Sequence, residues 1–172
     1  MRQTIAFQAT GFDMQPVQVE VAEGAEPPEE GTLPVALLAF QGGPSMVVTM
    51  LIGTTDAENM MNAFTEAEPM RAQLPPEAQN WQPEATILPG GMFWAITPEV
   101  VGMSVTPPQV TPDGIVPHWT LAFDDQDGSQ VQMAVSDAMC VNVIRALAQV
   151  ANGELELPGA EDADGGEPDE EE

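Results

Sequence analysis

The chain has 172 residues, 28 of them acidic against 3 arginines and no lysine, for a formal charge of −25. Ten acids fall in residues 154–172, which leaves 18 acids, 3 arginines and a net −15 for residues 1–153. A surface of that sign repels phosphates and anionic lipids, so direct nucleic-acid binding and membrane association are excluded as expectations. A cationic partner, a high-salt setting or simple solubility remain.

The opening stretch, MRQTIAFQATGF, alternates like a strand and lacks the apolar centre of a signal peptide. Ile5–Phe12 and Val17–Val21 read as an opening strand pair, with Pro16 near the turn and strict alternation over Val17-Gln18-Val19-Glu20-Val21. Residues 23–31 (EGAEPPEEG) form a loop that cannot bury anything. Val35–Phe40 and Met46–Ile52 follow as strands around the turn Gln41-Gly42-Gly43-Pro44. The second of these is the longest apolar run and far too short to span a membrane, so a cytoplasmic protein is expected.

Thr55 and Glu58 have capping-box spacing, and Ala57, Met60, Met61, Phe64 and Ala67 then share one side of a helix that Pro69 should end. Residues 74–85 form a polar, proline-rich connector that carries Trp81. Thr86–Leu88, Met92–Thr97 and Val100–Val105 read as strands, and residues 107–117 as a loop with few backbone donors.

The stretch from Trp119 to Val150 organises the rest. Thr120–Phe123 and Val131–Val135 are strands around Asp124-Asp125-Gln126-Asp127-Gly128, residues that tolerate the backbone angles of a hairpin turn. Ser136 is placed to cap a helix over Asp137–Val150, with Asp137 at the positive end of its dipole and Gly153 as its stop. Nine apolar residues cover most of that helix, so a second helix or a second copy of the chain must cover what a sheet cannot. A monomer with two helices side by side is the favoured solution, with a homodimer as the alternative. Leu38-Ala39-Phe40 parallels Leu121-Ala122-Phe123 and Thr55-Asp56-Ala57 parallels Ser136-Asp137-Ala138, at separations of 83 and 81 residues. This suggests repeats over residues 35–68 and 119–152, with the middle region supplying the second repeat's opening strands.

The expected architecture is α+β: an antiparallel sheet of hairpins with two helices on one face, within a single domain over residues 1–153. Residues 154–172 are expected to be a disordered acidic tail, because they offer almost no apolar area to offset the cost of ordering.

The residues that carry chemistry are few. His118 is the single histidine, and none of Ser45, Ser104, Ser129 and Ser136 has a nucleophile-elbow context. Asp124, Asp125 and Asp127 invite a calcium reading, but Phe123 and Ala134 stand where an EF-hand needs oxygen ligands. The glycine pairs are followed by neither a lysine nor a helix start, as a phosphate loop requires. Cys140 sits among apolar helix positions, where an inert thiol is expected. The many methionines read as core filler rather than as a peptide groove.

No catalytic residue, cofactor or metal site is expected from this inventory. The reading is a non-enzymatic interaction or structural protein of viral or mobile-element type. Its partner is a protein, basic in one version, and Trp81, Asp124, Asp125 and Asp127 are the candidate contact residues. The alternative is an acidic decoy that mimics nucleic acid and binds a basic protein surface.

Overall fold

The structure, a computed structural model, describes residues 2–71 and 75–155. The expected acidic tail from residue 156 onward lies outside the described residues. The fold is α+β, with two helices as expected. The strands divide between two four-stranded sheets and a small two-stranded one.

One large sheet holds β2 (Gly11–Pro16), β3 (Ala36–Gln41), β4 (Met46–Ile52) and β5 (Trp94–Ile96) in that order. The other holds β6 (Val100–Thr106), β9 (Trp119–Asp125), β10 (Gln130–Val135) and β1 (Thr4–Gln8). In each sheet the first three strands are antiparallel and the last is parallel to its neighbour. Helix α1 (Thr54–Arg71) follows β4 and α2 (Asp137–Ala151) follows β10. In the first half the parallel strand, β5, comes after its helix. In the second half that place is taken by β1, from the other end of the chain.

The two halves superpose in sequence at a constant step of 83 positions. Phe40 pairs with Val48 across β3–β4, and Phe123 with Val131 across β9–β10. Ala36 pairs with Ile52, and Trp119 with Val135. The same step joins buried helix positions: Ala57 and Cys140, Met60 and Val143, Phe64 and Leu147, Ala67 and Val150. Counterparts Phe40 and Phe123 meet where the two sheets' inner faces come together, with ring centroids 6.0 Å apart. One core cluster spans both sheets and both helices. The helices pack on each other, α1 also against β6 and α2 against β2, so α2 finds its cover within the monomer.

Several sequence expectations shift in detail. Ser136 does cap α2, its hydroxyl accepting the Met139 N–H at 3.1 Å. The expected Thr55–Glu58 box lies two residues too late. The α1 cap is Gly53, whose N–H donates to the Asp56 carboxylate at 2.9 Å. Glycine is required there because the long loop before β3 crosses over it, so that a Cβ would collide with the Gly31 and Leu33 carbonyls. The corresponding loop in the second half (residues 107–118) is shorter than that of the first (residues 17–35), and a serine fits at the cap.

Val17–Val21 is not a strand. Val17 makes one last ladder bond, to the Val35 carbonyl, and β3 extends no further to pair with the rest. Helix α1 runs past Pro69 to Arg71: the ring removes one backbone N–H without ending the helix. Thr86–Leu88 is tied to the β3–β4 turn without joining a sheet. The loop over residues 107–117 contains a small hairpin of β7 (Gln109–Thr111) and β8 (Gly114–Val116). Its turn is closed at Gly114, whose φ of 140° favours glycine.

Candidate functional surfaces

The acidic hairpin tip between β9 and β10 is built from its own hydrogen bonds. Asp127 accepts the Ser129 N–H at 2.7 Å, and Asp124 accepts the Gln130 side-chain amide at 2.8 Å. Asp125 accepts the Glu99 N–H at 3.3 Å, which ties the tip to the start of β6. The Ser129 backbone and side chain hold the Asp127 carboxyl below the ordinary aspartate range. These carboxylates are therefore turn-formers first. Among the described residues no group of three or more His, Cys, Asp or Glu is arranged to hold a metal ion.

Trp81 lies elsewhere. It is half-buried against His118, ring centroids 5.1 Å apart, and His118 immediately precedes β9. The acids close the other end of that seven-residue strand, about 20 Å away at the usual rise per residue. The structure does not bring the four candidate contact residues together.

Beside the Trp81–His118 pair is an open cleft of about 470 Å³ between residues 84–86 and the outer face of β1, β10 and β9. Gln8, Gln132, Thr120, Glu84 and His118 line it. Its roof is held by the Glu84 N–H on the Gln8 side chain at 2.6 Å and the Thr86 N–H on the Gly42 carbonyl at 2.8 Å. His118 Nδ1 sits 3.2 Å from its neighbour's carbonyl, at Trp119, and 3.5 Å from the Thr120 hydroxyl. The four serines are dispersed. Ser45 is buried and accepts the Leu88 N–H, Ser136 caps α2, Ser104 is exposed on β6, and Ser129 shapes the hairpin turn. The Cys140 thiol is buried in the core.

A third surface is one the sequence reading passed over. On the outer face of β3-β4-β5, alternation places Leu37, Ala39 and Gln41, then Val47, Thr49 and Leu51, then Ala95. Thr97 joins them just beyond β5, its hydroxyl 3.1 Å from that of Thr49. Leu51 is 50% exposed, and Phe93, just before β5, is 58% exposed. Ile87 and Met92, 76% and 55% exposed, lie in the segment that is tied to the β3–β4 turn through Thr86 and Leu88 and leads into β5. Residues 31–55 and 85–98, which supply this face, contain no charged side chain. The signal was present in the sequence as those two uncharged stretches. It was masked because an apolar run reads the same whether its second face is covered or open.

Among the described residues, no helix is long and apolar enough to cross a membrane. Comparison with known proteins finds no matching family model, no matching curated protein and no matching solved structure.

Proposed function

We propose that the chain is a non-enzymatic interaction or structural protein of viral or mobile-element type. It acts in the cytoplasm and docks a protein partner on the outer face of β3-β4-β5. The duplicated unit serves as a rigid frame for that face. The observation that carries this reading is the uncharged apolar surface around Leu51 and Phe93 in a chain of net charge −25. Exposed apolar surface of this kind marks interaction sites more often than it marks nothing.

Trp81 fits a supporting role in this reading. It is engaged with His118 at the cleft, and the hairpin carboxylates are engaged in their turn. The test is a photoreactive amino acid in place of Phe93, introduced in the cells that naturally make the protein, beside the same probe at Ser104 on the other sheet. Adducts at position 93 and none at 104 are expected. No adduct at 93, or equal adducts at both, removes the reading. Adducts that form only in low salt would move the contact to a basic partner held by the carboxylates, as the decoy alternative requires.

A further inference from the structure

The outer face of β3-β4-β5 admits a specific occupant, and we infer that it is a second copy of this chain, packed face to face about a two-fold axis. This deepens the functional reading above and rests on it. Two observations lead to the second copy.

The first is charge. Two chains of −25 repel each other wherever carboxylates meet, and an acidic protein can approach its own copy only through a face that carries none. The face meets that condition: across β3, β4 and β5 its outward residues are Leu37, Ala39, Gln41, Val47, Thr49, Leu51 and Ala95, none of them charged. The acid nearest to it along the ladder, Asp13, is at the margin, on β2 opposite Ala39. A basic partner would gain nothing from docking here, where there is no negative charge to meet its own.

The second is area. Leu51 on the face, Phe93 just before β5, and Ile87 and Met92 in the flanking segment tied to the β3–β4 turn are between half and three-quarters exposed. With the half-buried Leu37 and Val47, side chains of this size present on the order of 500 Å² of apolar surface. A self-complementary contact uses the patch twice and so removes about 1,000 Å², the lower bound for a specific interface. Two sheet faces pack at about 10 Å separation, as in a sandwich.

The interface differs from the one that the α2 sequence suggested. That helix is covered by α1, and the surface left open is on the opposite side of β3 and β4 from the core.

The experiment is sedimentation equilibrium on the purified full chain up to about 100 µM, the range in which an interface of minimal size associates. The mass should double with rising concentration, and the dimer should strengthen from low to moderate salt as repulsion between the copies is screened. Leu51→Glu and Phe93→Glu should each return the chain to a monomer at every concentration tested, while Ser104→Glu leaves the dimer intact. Circular dichroism establishes that each variant is folded. If Leu51→Glu unfolds, Phe93→Glu carries the test alone, because Phe93 lies outside the strands and is mostly exposed.

A wild-type chain that stays monomeric at about 100 µM in moderate salt overturns the second copy, as does a dimer indifferent to both substitutions. In the monomeric case, photo-adducts at position 93 to a different protein would leave the broader interaction reading standing. No adduct there removes both.

Discussion

The two sheets are built on one plan and finished differently. Across the step of 83 positions the inward residues stay apolar in both copies: Leu38 and Leu121, Phe40 and Phe123, Val48 and Val131, Met50 and Met133. Most of the outward residues part company, Ala39 and Ala122 excepted. Leu37, Val47, Thr49 and Leu51 in the first copy correspond to Thr120, Gln130, Gln132 and Ala134 in the second. Packing restricts the inner positions to apolar side chains, leaving only their size to vary. The outer positions are under no such constraint. One face is polar, with residues 81–86 and a cleft over it, and the other is apolar and open.

Size does vary inside. Trp119 stands where the first copy has Ala36, and the larger residue brings a polar handle that the interior must satisfy. Its indole N–H donates to Asp137 at 3.1 Å, and Asp137 stands where the first copy has Thr54. A change at one position thus comes with a matching change at its neighbour. The two buried states are chemically different solutions to one packing problem.

The largest expected effect tests whether the copies share the core equally. Phe40 and Phe123 are both essentially buried and touch across the junction of the sheets. Phe40→Ala and Phe123→Ala should each cost about 3–5 kcal/mol in chemical denaturation. The double variant should fall short of additivity by about 1 kcal/mol, the worth of the aromatic pair. If one substitution costs much less than the other, the stability is concentrated in one half and the even comparison fails.

How much of this was legible in the sequence follows from which constraints are local. The strands β3, β4, β9 and β10, the helix α2 and its Ser136 cap could be read because alternation, helical spacing and cap chemistry act over a few residues. The constant 83-residue step was obscured by Thr55-Asp56-Ala57, which resembles Ser136-Asp137-Ala138 but sits two positions out of structural register. The middle region could be placed as the source of the second repeat's opening strands, and β6 does take the position of β2. Nothing local could show that β1 pairs with β10 from the far end of the chain. The Trp81–His118 contact was likewise out of reach, since it joins residues from two loops. Trp81 and the hairpin acids could each be noticed, but their separation along β9 could not.

The next effect concerns the caps, where each copy retains one half of a reciprocal arrangement. In α2 the cap side chain of Ser136 accepts an N–H from within the first turn; in α1 the first-turn Asp56 accepts the N–H of the cap residue. Ser136→Ala and Asp56→Ala should each cost about 1 kcal/mol in urea denaturation. Gly53→Ser, which copies the second half's cap into the first, should destabilise rather than help, because the Gly31 and Leu33 carbonyls occupy the space. A stabilising Gly53→Ser would mean that the long loop before β3 moves aside easily, and the two helix starts would then be interchangeable.

A smaller effect is expected on the outer faces. Leu51→Ala gives the apolar sheet the residue that its counterpart has at Ala134. Because Leu51 is half exposed, the monomer should lose no more than about 1 kcal/mol in thermal or urea denaturation. A loss comparable to a core truncation would show that this face is covered within the single chain, and the contrast between the sheets would collapse.

The smallest effect is at the hairpin of the second copy, where Asp127 has no acidic counterpart: the first copy has Pro44 at that step. The Ser129 N–H, donating to the carboxylate at 2.7 Å, holds the Asp127 pKa below its ordinary value in the folded chain. A depressed carboxyl pKa stabilises the fold fully above the unfolded value, and that contribution is lost as pH falls through the folded one. Asp127 is fully exposed, so solvent screening keeps the effect slight and confined to the acid limb. Asp127→Asn retains an acceptor for the Ser129 N–H but no titrating group, and should flatten only that limb of the stability–pH curve. Asp127→Ala removes the acceptor as well and should lower stability slightly at neutral pH too. Carbon-detected NMR titration of the wild-type side chain gives the sign directly. A midpoint at or above the ordinary aspartate value would mean that the turn is not held by this bond, leaving the hairpin tip as unspecialised as the proline turn it corresponds to.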